Sequence, residues 1–516
     1  MKLKQIGSFL LAVAMVVSLC AGCGESDQPY VPTGNALEMD DGNAVTAPTQ
    51  EEEKPQELTL VYHADSTMNP ILSTDFTNRA LFSLLYQGLF VLNRNYQVEP
   101  VLCKQYQVSS DMMMYTFYLE DATYSDGAPV TDADVVASLL AAKESAYYKG
   151  RFTHISKIEL AEGGGVTVTL NTPYENLPML LDIPIIKASQ LESDMPLGTG
   201  PYVLEHGTGG ARLRQRSSWW CKADLVVTAT GIPLIDGGNA AQIRDEFQFG
   251  QLDLVCANPA SDSYADYRCD FELWDCENGL FLYVGCNMTS PIFSNDTIRS
   301  ALTYAIDREA LVKTYYKGFG RTATLPASPL SPYYNTTLAE KYQYDGVKFI
   351  EALESSGITA REVTLLVNKD DSLRLRVARA IGEMLEECGV EVTMKEVDTA
   401  EYKECLLYRT FDLYVGQTKL SPNMDLSPFF YTWGELSNGA MNDSGLYTLC
   451  LQALANSGNY SNLHRQVMED GRLCPVLFCG YAVYATRGLL TDLTPSRDNV
   501  FYYSLGKTMK DALIES

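Results

Sequence analysis

The chain has 516 residues, 39 basic and 65 acidic side chains, and a formal net charge of -26. A nucleic-acid binder needs a basic surface to displace counterions, so this charge excludes nucleic acid as the main partner. Hydrophobic residues make up 46% and charged residues 20%, enough for a large packed core, and at roughly 150 residues per domain the length implies several domains.

Residues 1–22 (MKLKQIGSFLLAVAMVVSLCAG) begin with Lys2 and Lys4, continue as an uncharged apolar run, and end on the small Ala21 and Gly22 before Cys23. That is the outline of a secretory signal. Its apolar core is short for a membrane span of about 20 residues. Residues 19–23 (LCAGC) resemble a bacterial lipobox, departing from it at Cys20, where Leu is usual. The resemblance implies a lipid on Cys23 that holds the chain at the extracytoplasmic face of the cell membrane. Residues 24–57 carry nine acidic side chains, one Lys and Pro29, Pro32, Pro48 and Pro55. Such a segment is expected to be an extended, disordered tether. Eleven cysteines lie beyond Cys23. Cys269 with Cys276, and Cys474 with Cys479, are close enough in sequence to pair, while most of the eleven read as small buried hydrophobes.

The apolar run 58–64 (LTLVYHA) predicts a buried strand, and residues 76–85 have helical spacing. Residues 115–119 alternate as a strand. Thr131 is placed as a helix N-cap, with Asp134 at the capping-box position and Val135, Val136, Leu139 and Leu140 as the apolar face. Residues 158–160 and 166–170 flank Gly163, Gly164 and Gly165 as a hairpin. Arg212, Arg214 and Arg216 recur with period two, a strand with one basic face. Residues 295–313 predict one helix with Ile298, Leu302, Ala305 and Ile306 on a stripe. Residues 371–388 predict another, closed by Gly389 as its C-cap. Strands follow at 390–394, 411–415, 476–478 and 481–484. Helices feeding strands in this way define an α/β architecture.

No GxSxG elbow, Walker loop, GxGxxG fingerprint or EF-hand loop occurs. His63, His154, His206 and His464 are widely spaced, and no HExxH or pair of CxxC motifs is present. Neither an enzyme, a cofactor nor a built-in metal site is expected. Gly198-Thr199-Gly200-Pro201 leads into a strand and not a helix, so it reads as a tight turn and not a phosphate cradle.

Several segments in fixed order resemble the extracytoplasmic solute-binding proteins of peptide/nickel-type ABC importers. They are Asn69-Pro70 with residues 85–89 (LYQGL), 115–117 (YTF) through 125–135, 196–202 (PLGTGPY), 249–253 (FGQLD) and 298–309 (IRSALTYAIDRE). The resemblance implies a two-lobe periplasmic-binding-protein clamshell of the cluster C type with an inserted subdomain. Lobe I would comprise 58–95, 190–285 and 474–516, the subdomain 96–189, and lobe II 286–473, with crossing strands near 281–287 and 476–484 as the hinge. It also implies a monomer that captures a small solute or short peptide and delivers it to ABC permease subunits.

Peptide-binding members of that family carry a Trp and an Asp before a turn in the second lobe, the Asp holding the peptide's ammonium. In the matching stretch 416–425 the Asp position falls on Leu420 or Pro422, and Gln417 or Lys419 replaces the Trp. Asn423 lies in the same turn, and Asp425 resembles its later acid. Lys419 either faces an anionic group of the ligand or is a solvated surface residue. Met68, Asn69, Tyr283 and Asn287 fall where the family's cleft-facing residues are expected, with core packing as the alternative for Met68 and Tyr283. Trp433 either stacks on a ligand or caps the core. These departures motivate a second reading, a clamshell-derived surface signalling or structural lipoprotein that has lost transport.

Overall fold

A computed structural model describes residues 58–221, 223–258, 267–438, 441–490 and 492–514. Residues 1–57, read from sequence as a signal, a lipobox-like run and a tether, therefore lie outside the described residues. None of the described helices is long and apolar enough to cross a membrane.

One mixed sheet of eleven strands organises the chain. In chain order its strands are β1 (Leu60–Tyr62), β2 (Tyr202–Gly207), β3 (Gly210–Gln215), β4 (Gly231–Asp236), β5 (Leu254–Ala257), β6 (Phe271–Cys286), β7 (Gly320–Thr322), β8 (Glu362–Asn368), β9 (Glu391–Val397), β10 (Leu413–Lys419) and β11 (Leu473–Thr486). In space the order is β9-β8-β10-β6-β11-β5-β1-β4-β3-β2, with β7 added to β11. The antiparallel pair β6 and β11 lies in the middle. On one side β11 joins β5, followed by β1, β4, β3 and β2, and on the other β6 joins β10, followed by β8 and β9. Among the described residues these two long strands thus link the two halves of the sheet path.

Alternation along β6, β8 and β10 explains the two cores on their opposite faces. Leu282, Val284, Leu365, Val367, Leu413 and Val415 face one cluster, and Phe281, Tyr283, Leu366 and Tyr414 face the other. β11 is buried along its whole length except Thr486, the pattern of a strand covered on both faces. That is why its apolar residues do not alternate, and why two short strands are predicted from sequence where one continuous strand stands.

A separate antiparallel sheet pairs Cys103–Val108, Met114–Leu119, Val166–Leu170 and Ile155–Leu160 in that order. The last two form the predicted hairpin. Helix Asp132–Glu144 lies against it through Val135, Leu139 and Ala142. Its start is fixed by the predicted capping box, with Thr131 and Asp134 each accepting from the other's backbone N–H.

The segment 295–313 departs from the single predicted helix. Helix Asp296–Ala301 tightens into a 3-10 turn at Leu302–Ala305, Ile306 is extended, and a new helix runs over Arg308–Tyr315. The cause is polar. Asp307 accepts from the Ala310 N–H as an N-cap. The Arg308 guanidinium turns inward to donate to the carbonyls of Thr303, Ile306, Ala323 and Pro475. Ile298, Leu302, Ala305 and Ile306 are all still buried, so the stripe marks the core but not the helix length. Likewise 76–85 forms two short helices, Phe76–Ala80 and Phe82–Leu85.

The Gly198–Gly200 turn is a site of backbone approach. A Cβ on Gly198 would sit 1.9 Å from the Leu85 carbonyl oxygen, and one on Gly200 2.5 Å from that of Leu84. The turn and residues 84–85 can pack this closely only because both positions lack a side chain. All eleven described cysteines are free.

Candidate functional site

A cavity of about 520 Å³ lies between residues 146–171, beside the four-stranded sheet, and residues 418–447 at and beyond the end of β10. One wall is the turn that follows helix Asp132–Glu144, contributing Tyr147, Lys149, Gly150, Arg151 and His154. The other is the end of β10 and the chain beyond it, with Lys419, Ser421, Asp425, Ser427, Tyr431 and Trp433. A second hollow of about 230 Å³ toward Phe76, Asn278 and Tyr481 shares Tyr147, Lys419 and Arg497 with the first.

Position follows from the sheet. Lys419 is the last residue of β10 and pairs with Leu280 of β6. There β6 bulges, its register with β11 slipping between Glu277 and Phe281. Gly279 in the bulge has φ +75, and a Cβ on it would lie 2.5 Å from Arg497 Nε. The bulge therefore leaves the room that the Arg497 guanidinium fills.

Asp498 is the electrostatic centre of the site. Its carboxylate accepts from Lys419 Nζ at 2.7 Å, Tyr147 Oη at 2.6 Å and Arg151 Nη2 at 3.1 Å. Arg497 Nε lies 3.4 Å away. Arg151 also pairs with Asp182, and the Arg79 guanidinium lies 3.3 Å from the centre of the Tyr147 ring. Burial alone would raise the Asp498 carboxyl, but the charges of Lys419, Arg497 and Arg151 hold it well below the usual range. Burial, opposed by Asp498, brings the Lys419 ammonium down to about 7. Arg497 Nη2 donates to the Leu420 carbonyl, while its Nε and Nη1 are buried and donate no hydrogen bond. Leaving a buried donor unmatched costs about 1–3 kcal/mol, and more for a charged group.

Farther along the cavity, His154 Nε2 lies 3.0 Å from Asp425 Oδ2 and 2.9 Å from Ser427 Oγ. Asp425 also accepts from the Ser427 backbone N–H at 2.8 Å and from the Ser427 hydroxyl at 2.8 Å. Near the rim Lys149 pairs with Glu435, and Ser421 donates to the Gly150 carbonyl. The two walls are thus joined by ion pairs and hydrogen bonds along the length of the cavity.

Of the residues singled out from sequence, Lys419, Asp425 and Trp433 line this cavity. Trp433 is 83% exposed, an uncovered aromatic at the rim. The others lie elsewhere. Met68 is buried, its carbonyl accepting from Tyr86 Oη. Asn69 is buried and holds the carbonyls of Leu191 and Ser193. Tyr283 packs between Phe281 and Phe429 and over Gly416, where a Cβ would meet its ring at 2.4 Å. Asn287 donates to the carbonyls of Arg409 and Phe411. Gln417 lies on β10 opposite Leu282. Asn423 is buried, and its carbonyl accepts from Tyr460 Oη. Cys23 is outside the described residues.

Sequence reasoning missed Tyr147, Arg151, His154, Arg497 and Asp498. Their partners stand far away along the chain, 272 residues between Tyr147 and Lys419 and 351 between Tyr147 and Asp498. No local spacing signals such pairs. Among the described residues no group of three His, Cys, Asp or Glu side chains is placed to hold a metal ion.

A mixed sheet whose halves are joined by paired long strands, with a lined cavity beside the junction, is the fold of a two-lobe clamshell. The family model for the middle region of bacterial extracellular solute-binding proteins, family 5, matches residues 97–440, and the chain belongs to that family. Among curated proteins it is 28% identical over 357 residues to the glutathione-binding protein GsiB of Salmonella typhimurium, covering 65% of this chain and 68% of that one. Among solved structures it is similar to the ABC transporter substrate binding protein CtaP of Listeria monocytogenes. That match has a TM-score of 0.69 at 19% identity and covers 88% of this chain and 99% of the other. It is also similar to the oligopeptide-binding protein AppA of Bacillus subtilis in complex with a nonapeptide. There the TM-score is 0.59 at 20% identity, covering 88% and 100%. At these identities the structural likeness speaks for the fold alone.

Proposed function

We propose that this chain captures a peptide-like solute between its two lobes and hands it to the permease subunits of an ABC importer, binding the solute without transforming it. The carrying observation is the cavity of about 520 Å³ with polar side chains on both walls; in this reading residues 146–171 of the inserted subdomain form one wall, residues 418–447 of lobe II the other, and Arg497 of lobe I reaches its edge. A cleft of that size favours capture over the alternative of a clamshell that has lost transport. A curated relative named for glutathione, a tripeptide, supports a peptide-like cargo. In this reading lobe I comprises 58–95, 190–285 and 474–516, residues 96–189 form the inserted subdomain, and 286–473 form lobe II. Solute that touches both walls favours the closed state by its differential affinity for that state.

A thermal-shift screen of short peptides, glutathione, sugars and metal chelates tests the capture. A bound solute at a hundred times its dissociation constant stabilises by about 2.7 kcal/mol, a clear rise in Tm. If every class leaves the melting temperature unchanged, the capture reading fails.

The reading includes a lipid on Cys23 and a tethered position at the extracytoplasmic face of the cell membrane, supported by the lipobox-like run 19–23. Replacement Cys23→Ala is expected to abolish lipid labelling and release the protein from the membrane fraction. Labelling that persists in the variant refutes the anchor.

A further inference from the structure

The hairpin formed by strands Phe90–Leu92 and Val98–Pro100 is shared between two cores. At its base Leu89, Phe90 and Leu102 lie in the cluster that also holds Leu60 of β1 and Leu234 of β4. There Glu99 accepts from the hydroxyls of Tyr502 and Ser504. At its tip Leu92 and Tyr96 lie instead in the cluster of Tyr283, Leu366 and Tyr414, on one face of β6, β8 and β10. Hydrogen bonds within the tip make a tight turn, Asn93 Oδ1 accepting from the backbone N–H of Asn95 at 2.9 Å and of Gln97 at 3.0 Å. The turn sets Tyr96 at φ +60, a left-handed conformation that a bulky side chain keeps only where its surroundings impose it. Tyr96 is buried, and its hydroxyl donates to Glu277 Oε1. Ser328 Oγ donates to the other oxygen of the same carboxylate at 2.5 Å. Glu277 is itself buried, and stands on β6 where that strand loses register with β11. Three distant stretches of chain therefore meet on one carboxylate at the junction of the two sheet halves.

We propose that this hairpin is a strap across the junction and Glu277 its catch, so that the closed arrangement of the two halves is held by the Tyr96 and Ser328 hydroxyls and opening withdraws the Tyr96 tip from the second core. The base stays with the first half, where Phe90 and Glu99 hold it. A strap fixed at one end and docked at the other resists the motion that separates the halves. Each oxygen of Glu277 accepts a charge-assisted hydrogen bond, and losing one while the carboxylate stays buried is costly. Withdrawal instead lets water replace the hydroxyl and lets Tyr96 leave its left-handed conformation. That relief opposes the catch and brings the two arrangements closer in free energy, as a reversible closure requires. Tyr96, Glu277 and Ser328 do not line the cavity of about 520 Å³. The catch thus sets how readily the clamshell closes without touching what it encloses, and the three are positioning residues.

The strap presupposes the lobe motion of the capture reading, and its test needs no solute. Small-angle X-ray scattering of the full chain and hydrogen exchange of the amides of residues 92–97 are compared among the unaltered protein, Tyr96→Phe and Ser328→Ala. Tyr96→Phe keeps the ring in the core and removes only the hydroxyl. Its radius of gyration is expected to rise, and the tip amides to exchange at least about tenfold faster, the equivalent of one lost hydrogen bond to a charged group. Ser328→Ala should move both readings in the same direction. Should Tyr96→Phe fail to fold, Ser328→Ala carries the test alone, its melting curve serving as the fold check. Faster exchange at an unchanged radius of gyration would make the hydroxyls merely structural and overturn the strap, as would no change in either reading. Opening in the variants, with no solute class shifting the melting temperature of the unaltered protein, would leave the strap standing and count against capture.

Discussion

Replacing Asp498 by Asn is expected to destabilise the protein by about 3–5 kcal/mol, the usual consequence of removing one partner from a buried ionic cluster. The Asp498 side chain is 9% exposed, and those of Arg151 and Arg497 are 5% and 4% exposed. Asn keeps the shape and two polar atoms but gives up the charge that holds Lys419, Arg151 and Arg497 together. Asp182 can compensate only Arg151, which it already contacts. The exposed pair of Lys149 with Glu435 provides the contrast. Its side chains are 52% and 67% exposed, so Glu435→Gln should change stability by less than about 1 kcal/mol. Urea unfolding checks both: the midpoint should fall sharply for Asp498→Asn at an unchanged slope, and barely move for Glu435→Gln. A loss below 1 kcal/mol for Asp498→Asn would show that the cluster does not depend on this carboxylate.

Local chemistry was legible in the sequence, and long-range chemistry was not. The capping box at Thr131 and Asp134, the Gly389 C-cap with its φ of +85 and the hairpin at Gly163–Gly165 involve neighbours that a local pattern can describe. Residues 295–313 misled because the apolar stripe is real while its geometry is decided by Asp307 and by Arg308 reaching the Pro475 carbonyl, 167 residues away. The long strand β11 hid for a related reason. Covered on both faces, it carries no alternation to read, and Gly480 in its middle looks like a break. In the folded chain Gly480 instead admits the Phe319 carbonyl oxygen, which a Cβ there would meet at 2.9 Å. The site shows the same division. Lys419 and Asp425 sit in a stretch that aligns with a family turn, and both line the cavity. Arg497 and Asp498 sit in a tail without motif or periodicity, and only the path of β11 carries them back to the end of β10. Asn69 and Asn287 are polar residues where the family's cleft-facing residues are expected, but their amides are occupied by backbone carbonyls.

The bond between His154 and Asp425 makes the grip between the cavity walls depend on pH. Burial alone would lower the imidazole's affinity for a proton, but the charge of Asp425 and hydrogen bonds to Asp425 and Asn171 outweigh it and leave the His154 pKa above 6.5. Burial alone would likewise raise Asp425, but His154 and the Ser427 hydrogen bonds outweigh it and leave that carboxyl below 3.8. A raised histidine stabilises fully below its unfolded pKa of about 6.5, and that contribution fades as pH rises through the folded value. A depressed aspartate stabilises above its unfolded pKa of about 3.9, and that contribution is lost as pH falls through the folded value. The two overlap between about pH 4 and pH 6.5, where the pair is fully charged. Tyr447 and Cys450, which also face Asp425, are raised from values of 10.0 and 9.0 and stay neutral across this window. His154→Gln keeps an amide donor for Asp425 but no charge. It is expected to cost about 1.5–3 kcal/mol at pH 5.5, the value of a hydrogen bond to a charged group, and distinctly less at pH 8.5. Lys419 titrates near 7 in the same cavity, but it is common to both proteins and cancels in the difference between them. Urea unfolding of the two proteins at both pH values reads that difference directly. A cost that is the same at pH 5.5 and pH 8.5 would mean that the pair acts as a neutral hydrogen bond and gives the walls no pH-dependent hold on each other.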